Sequence, residues 1–159
     1  MLFVILLVYV YSVSFYFDTT QFGVYAGASV WNLIFYNLIH TNILHLIINS
    51  SLFLLYWGRL KHCNLRIVIP ILVVSPIIAG VFASYAQPTI GASAIIMSMT
   101  GILLAGMTRG QTLKLLGLLT FSFITTGLFA PYINTLIHVY SFVFSSAVSI
   151  LLRRFIYDR

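Results

Sequence analysis

The sequence predicts an all-α integral membrane protein, a bundle of six transmembrane helices with both termini in the cytoplasm. Apolar residues make up 61% of the 159-residue chain and charged residues only 6%, and the mean hydropathy is +1.07. A soluble domain carries roughly 25% charged residues, so this chain lacks the charge to cover a globule in water. Lipid as the solvent removes that requirement.

Six apolar runs are long enough to cross a bilayer once they are divided at polar or Pro/Gly clusters. The predicted spans are residues 2–17, 41–57, 66–86, 90–107, 112–129 and 132–152. No Lys or Arg precedes the first run and no small-residue cleavage site follows it, so we interpret it as a span and not as a signal peptide. Residues 1–159 are therefore expected to form one membrane domain.

The basic residues predict the orientation of these spans. With Met1 in the cytoplasm, alternate threading places all eight Lys and Arg side chains on the inner side, as the positive-inside rule requires. They follow the second, fourth and sixth spans, as Arg59, Lys61, Arg66, Arg109, Lys114, Arg153, Arg154 and Arg159. Although the net charge is +6, these residues form no continuous stripe, and we therefore expect no nucleic-acid partner.

The longest connection, residues 18–40, falls on the outer side and contains no Lys or Arg. It is rich in aromatic residues, of which Trp31 is most simply an interfacial anchor. We therefore expect this outer loop to lie in the membrane interface and not in water. A single cysteine, Cys63, excludes an intramolecular disulfide.

Polar side chains within the spans are expected at one depth. His45 and Asn49 are four residues apart on the second span and share a helix face, while His40 precedes them near the outer mouth. Ser93 lies close to the outer end of the fourth span, and His138 lies about two turns into the sixth. Because these three spans run from outside to inside, their polar groups meet in the outer part of the membrane.

This set of side chains is typical of acyl-transfer chemistry. A serine needs a base to take its proton, and burial favours the neutral imidazole of His138 that can do so. Donors from His45, Asn49 and the Ser93 backbone N–H are candidates for an oxyanion hole, in which one donor lowers the barrier by about 2.7–4 kcal/mol. The only two carboxylates lie near the outer end of the first span and in the inner tail. A Ser-His-Asp triad is thereby excluded and a Ser–His dyad remains.

Stripes of small residues indicate that the fourth and sixth spans are neighbours, because small side chains let helix backbones approach closely. On the fourth span Ser93 is followed by Met97, Gly101 and Ala105, and on the sixth span His138 is followed by Ser141, Ser145 and Ser149.

Together these residues resemble the rhomboid family of intramembrane serine proteases. The family's H-x-N-x-x-H-L-x-x-N pattern is matched by His40, Asn42, His45, Leu46 and Asn49. Its G-x-S motif is matched by Gly91 and Ser93, and the glycine eight residues after the serine by Gly101. Its sixth-span histidine is matched by His138, and its tryptophan before the first motif histidine by Trp31. Order, spacing and the six-span core agree over nearly the whole chain.

The resemblance implies cleavage of single-span membrane proteins near the outer face, without a cofactor. Ser93 would be the nucleophile and His138 the base. The oxyanion hole would be His45, Asn49 and the Ser93 amide, with His40, Gly91, Gly101 and Trp31 in support. The fifth span would be the mobile side of the substrate entrance.

Five positions depart from the family pattern. Ala94, Ser141 and Ser145 stand where the family usually has glycine, Met97 where it often has an aromatic residue, and Asn32 where Arg is common. None of these changes removes a reacting group. They bear on substrate preference and rate.

Three alternatives follow from the same residues. The chain could be a rhomboid-like protein, weak or inactive in catalysis, that binds transmembrane segments. It could be a small channel or transporter, although no acidic residue lines a span and no inverted repeat is visible. A metal site of His40, His45 and His138 is also conceivable, but no Cys or carboxylate joins them and we expect none. Short loops fit a multi-pass protein of a prokaryotic plasma membrane.

Overall fold

The computed structural model describes residues 1–16, 18–83, 85–129 and 133–157, and this part of the chain is helical without strands. Three residues of the predicted spans lie outside the described residues, namely Phe17, Ser84 and Tyr132. The helices are α1 (Leu2–Ser14), α2 (Val30–Phe35), α3 (Ile43–Leu60), α4 (Leu65–Phe82), α5 (Ser93–Ala105), α6 (Arg109–Phe129), α7 (Thr135–Leu151) and α8 (Arg153–Tyr157).

Each of the six predicted spans overlaps one of the longer helices, and α3, α4 and α6 extend one to three residues beyond theirs on the side of the basic residues. Three of them, α3, α4 and α6, are long and apolar enough to cross a membrane, and α1, α5 and α7 are apolar helices of 13, 13 and 17 residues. The chain is an integral membrane protein. The number of crossings and the side on which the termini lie stay predictions.

Helix α5 lies at the centre of the bundle and packs against α3, α4 and α7. Its contact with α7 is the most extensive between described helices, as the small residues on the fourth and sixth spans predict. The two helices are close at Gly101, because an added Cβ would lie only 2.7 Å from the Phe142 carbonyl oxygen of α7. Such close approach is possible only where one backbone carries no side chain.

Helix α4 runs through Pro70 and Pro76 without interruption, although each proline removes one helical hydrogen bond. Side chains supply hydrogen bonds around the second proline. Ser75 Oγ donates to the Ile71 carbonyl at 2.7 Å, and Tyr36 Oη donates to the Pro76 carbonyl at 2.9 Å. Helix α6 differs from the others, since none of its residues is buried and it touches the bundle mainly through α7.

The loop of residues 18–40 is folded against the bundle. It contains two 3₁₀ turns besides α2, and Val24 forms an isolated β-bridge with Thr89. Tyr36 is fully buried, while Trp31 is 63% exposed and stacks on Phe35 with ring centroids 6.2 Å apart. The loop thus buries part of its aromatic surface at the Ser93 end of the bundle, and its location in the membrane interface stays a prediction.

Candidate active site

Ser93 and His138 meet at the point where α5 and α7 begin. Ser93 is the first residue of α5, and its Oγ lies 2.7 Å from Nε2 of His138. Both side chains are half-buried. The sequence placed His138 about two turns into its span, but α7 begins only at Thr135, so the histidine lies in the first turn.

Asn134 explains why α7 begins there, and sequence reasoning did not single it out. Its Oδ1 accepts the Ile137 N–H at 3.3 Å and thereby caps the helix. Its Nδ2 donates to the Ala83 carbonyl at 2.9 Å and to Thr89 Oγ1 at 3.1 Å. The signal that could have found it is an Asn directly before an apolar helical run. Asn134 thus ties the start of α7 to the end of α4 and to the segment before Ser93.

The imidazole of His45 lies directly against the backbone of Gly91. Gly91 has φ +124°, a conformation that favours glycine. A Cβ at this position would lie 2.5 Å from Cε1 and 2.7 Å from Nε2 of His45. A glycine two residues before Ser93 is therefore required both by its backbone and by the ring of His45.

Asn49 brings an unsatisfied donor to the same place. It lies one turn after His45 on α3, and its Nδ2 is 3.6 Å from where a Gly91 Cβ would stand. Asn49 is buried, and within the described residues its Nδ2 has no hydrogen-bond partner. Because leaving a buried donor unpaired costs about 1–3 kcal/mol, such a group is typical of a site that receives an acceptor from a ligand.

The backbone at Ser93 adds a third donor. The first N–H groups of a helix have no intrahelical acceptor, and the helix dipole makes this end favourable for negative charge. The residue before Ser93, Ala92, offers no side-chain cap. The helix thus orients the Ser93 N–H, and the side chain of the N-cap residue does not accept its hydrogen bond.

His40 and Tyr36 hold the segment that precedes Ser93. The Gly91 N–H donates to the Tyr36 carbonyl at 2.9 Å, and the Ala92 N–H donates to His40 Nε2 at 3.5 Å. Burial, and to a lesser degree the neighbouring His45, lowers the pKa of His40 to about 4. His40 is therefore neutral at pH 7 and can act as the acceptor.

Thr41 is a second residue that sequence reasoning missed. Its Oγ1 lies 3.1 Å from Nδ1 of His45, the ring nitrogen farther from Gly91. Asn42 orients this hydroxyl, because its Nδ2 donates to Thr41 Oγ1 at 3.3 Å while its Oδ1 accepts the His45 N–H at 2.9 Å. While Oγ1 accepts from Asn42, the hydroxyl keeps a proton that it can donate to Nδ1. Nothing in the spacing of the motif indicated this contact.

Two residues named from the sequence lie away from the pair. Trp31 is on the exposed face of α2, and Gly101 is two turns further along α5, where it packs against α7. Asn32, at the position where Arg was expected, is buried. Its Nδ2 donates to the carbonyls of Gln21 and Gly23 at 2.6 and 2.7 Å, so it stabilises the outer loop.

A cavity of about 350 Å³ opens over the pair. Its lining includes Thr41, Asn42, His45, Ser93, Ile133 and His138. Over the described ranges of the chain, no three His, Cys or carboxylate side chains are grouped so that they could hold a metal ion. The arrangement offers a hydroxyl in contact with an imidazole, with amide and imidazole donors beside them.

A family model for the Rhomboid domain matches residues 27–155, which is most of the chain. This match includes α2 to α7 and every residue of the cavity. None of the curated proteins matches the chain.

Proposed function

The chain belongs to the rhomboid family, and we propose that it is an intramembrane serine protease that hydrolyses peptide bonds of single-span membrane proteins. Members of this family are generally intramembrane serine proteases, and some are inactive. The observation that carries the proposal is the 2.7 Å separation of Ser93 Oγ and His138 Nε2. That distance is within hydrogen-bond reach of a nucleophile and its base.

In the proposed reaction, Nε2 of His138 takes the proton of Ser93 as Oγ attacks the scissile carbonyl carbon. The carbonyl oxygen becomes an oxyanion, and His138 then gives the proton to the departing amine, which leaves an acyl ester on Ser93. Water attacks this ester with His138 again as the base. The carboxylic acid is released and the serine hydroxyl is restored.

The oxyanion hole in this proposal consists of the Ser93 N–H, the Nδ2 donor of Asn49 and the Nε2 donor of His45. The free N–H of a helix start, the unpartnered Nδ2 and the closeness of His45 Nε2 to Gly91 support this assignment. Their common feature is that none needs to break a hydrogen bond within the described residues before it receives the oxyanion. Preorganised donors of this kind give the largest stabilisation of the transition state.

Thr41 is expected to set the tautomer of His45. A hydroxyl that donates to Nδ1 leaves the proton of the neutral ring on Nε2, which faces Gly91. We expect Thr41→Val to reduce the rate at which a fluorophosphonate labels Ser93 by roughly three- to tenfold, the equivalent of one neutral hydrogen bond. The measurement is the labelling rate with a fluorophosphonate probe. Thr41→Ser, which keeps the hydroxyl, should label at nearly the wild-type rate, and a wild-type rate for Thr41→Val would contradict the assignment.

The proposed activity is tested with the full chain reconstituted in liposomes together with a panel of tagged single-span proteins. We expect release of a fragment, inhibition by a fluorophosphonate, and an adduct on Ser93 in mass spectrometry. Client binding without any fragment would instead favour an inactive rhomboid-like protein, for which Ala94, Ser141 and Ser145 in place of glycine are the supporting positions. Release that persists in the modified protein would contradict the role of Ser93.

The predicted threading places the Ser93 end at the outer face and the termini in the cytoplasm. Under that orientation, cleavage occurs near the outer face, and all eight basic residues face the cytoplasm of a prokaryotic cell. The orientation is measured with a protease-accessible tag on the N-terminus of the protein in vesicles of known sidedness. Cleavage of the tag by added protease shows on which side the N-terminus lies.

A further inference from the structure

A second cavity, of about 470 Å³, lies at the end of the bundle opposite Ser93. Arg59 lines it from the last turn of α3, and Lys114 lines it from the second turn of α6. Tyr157 of α8 lies between this basic cavity and a smaller one of about 390 Å³, which Arg153 and Arg154 line. The proposed active site does not use any of these residues.

The polar groups of the basic cavity are suited to an anion. Arg59 and Lys114 are exposed cations on two different helices, and the described lining residues include no carboxylate. Gln111 also lines the cavity, and its Oε1 accepts the N–H and the hydroxyl of Thr108 at 3.0 and 3.2 Å. The remaining polar group of its side chain is therefore the NH₂ donor.

The other walls are apolar and well defined. Leu103, Met107, Leu115 and Leu118 line the cavity, and Leu118 belongs to the exposed face of α6, where it is 69% exposed. Tyr157 is held in place, because its Oη donates to the Ile102 carbonyl at 2.7 Å and its ring packs on Gly106. Burial raises the pKa of Tyr157 to about 12, so its hydroxyl stays neutral beside a bound anion.

We propose that this cavity binds a phospholipid with an anionic headgroup. The phosphate would lie between Arg59 and Lys114 and receive the Gln111 amide, and an acyl chain would follow Leu115 and Leu118 along α6. Basic pockets between membrane helices recognise anionic headgroups in this way. Basic residues that only set the topology can lie anywhere in the inner loops. Here Arg59 and Lys114 come from two helices and line one cavity together with an apolar wall, which orientation alone does not require. The predicted orientation assigns the lipid to the cytoplasmic leaflet.

The test is native mass spectrometry of the full chain in detergent with equimolar phosphatidylglycerol and phosphatidylcholine. One basic residue near a headgroup favours an anionic lipid by about fivefold. We therefore expect a single bound phosphatidylglycerol to exceed phosphatidylcholine at least fivefold, and Arg59→Gln/Lys114→Gln to bring the ratio near one. Circular dichroism of each variant shows that it is folded, and the readout does not depend on proteolysis.

The matched control is Lys61→Gln/Arg66→Gln, which removes the same charge from the same end but does not line the cavity. It should retain the wild-type preference. An equal loss in both double variants would mean that the general positive charge selects the lipid, and it would overturn the proposal. Displacement of the lipid by millimolar glycerol phosphate would also overturn it, because the site would then be one for a soluble phosphate.

Discussion

His138→Ala is expected to slow the phosphonylation of Ser93 by a fluorophosphonate, in which fluoride leaves, about 10²–10⁴-fold, the usual contribution of a general base. In the structure Ser93 Oγ touches one imidazole nitrogen, Nε2 of His138, at 2.7 Å. Without that base the hydroxyl must react with its proton in place, and a neutral hydroxyl is a weak nucleophile. The rate of adduct formation, followed by intact-protein mass spectrometry in liposomes, measures this effect directly.

Two further variants make the result specific. Ser93→Ala should carry no adduct at all, since the reacting oxygen is absent. His62→Ala removes an exposed histidine at the opposite end of the bundle and should label at the wild-type rate. If His138→Ala were labelled as fast as wild type, the dyad would be wrong even though the two side chains are in contact.

The global features of this fold could be predicted from the sequence because they depend on solvent and on side-chain size. Each apolar run contains a helix since lipid requires the backbone to satisfy its own hydrogen bonds. The small residues at Gly101 and Ser145 predicted contact between the fourth and sixth spans, and α5 and α7 are indeed in close contact. Motif spacing brought Ser93 and His138 to one level because both lie at starts of helices that run in the same direction.

Other features could not be predicted because they depend on tertiary contacts between polar groups. The composition of residues 18–40 does not distinguish the fully buried Tyr36 from the exposed Trp31, because packing against α4, α5 and α7 decides which ring is covered. Thr41 belongs to no pattern in the sequence, and the N-cap pattern that indicates Asn134 does not identify the partners of its side chain. Their partners are set by where His45 and Thr89 come to lie. Because Asn134 caps α7, the helix begins at Thr135 and His138 lies in its first turn, not two turns in as the sequence predicted.

Gly101→Val is expected to be the most destabilising single substitution outside the reacting groups. A Cβ at Gly101 would overlap Ser145 Oγ, and it would lie 2.7 Å from the Phe142 carbonyl oxygen and 2.8 Å from Ser146 Oγ. A serine side chain can rotate away, but a backbone carbonyl cannot, so α5 and α7 must separate. Overpacking of this kind costs about 1–3 kcal/mol and sometimes more. We expect a lower thermal midpoint in detergent and at least a tenfold slower labelling of Ser93.

The loss of labelling follows from the same displacement. The approach of the two helices at Gly101, about two turns away, contributes to holding Ser93 and His138 together. Gly117→Val on α6 is the matched control, since a Cβ there meets nothing within 4 Å, and it should change neither stability nor labelling. An equal loss in both variants would mean that valine in a membrane helix, and not the contact with α7, is responsible.

Gly101→Ala, alone and with Ser145→Gly, distinguishes the strain from the Ser145 side chain from the strain at the Phe142 backbone carbonyl. Its single methyl group meets the same three oxygen atoms, and Gly101→Ala/Ser145→Gly removes one of them. Because the Phe142 carbonyl belongs to the backbone and remains, we expect the double variant to recover part of the lost thermal stability and labelling rate, but not all of it. Full recovery would show that the side chain of Ser145 alone limits the approach of the two helices. No recovery would show that the two remaining contacts, with the Phe142 carbonyl and Ser146 Oγ, limit the approach, and that Ser145 can move aside.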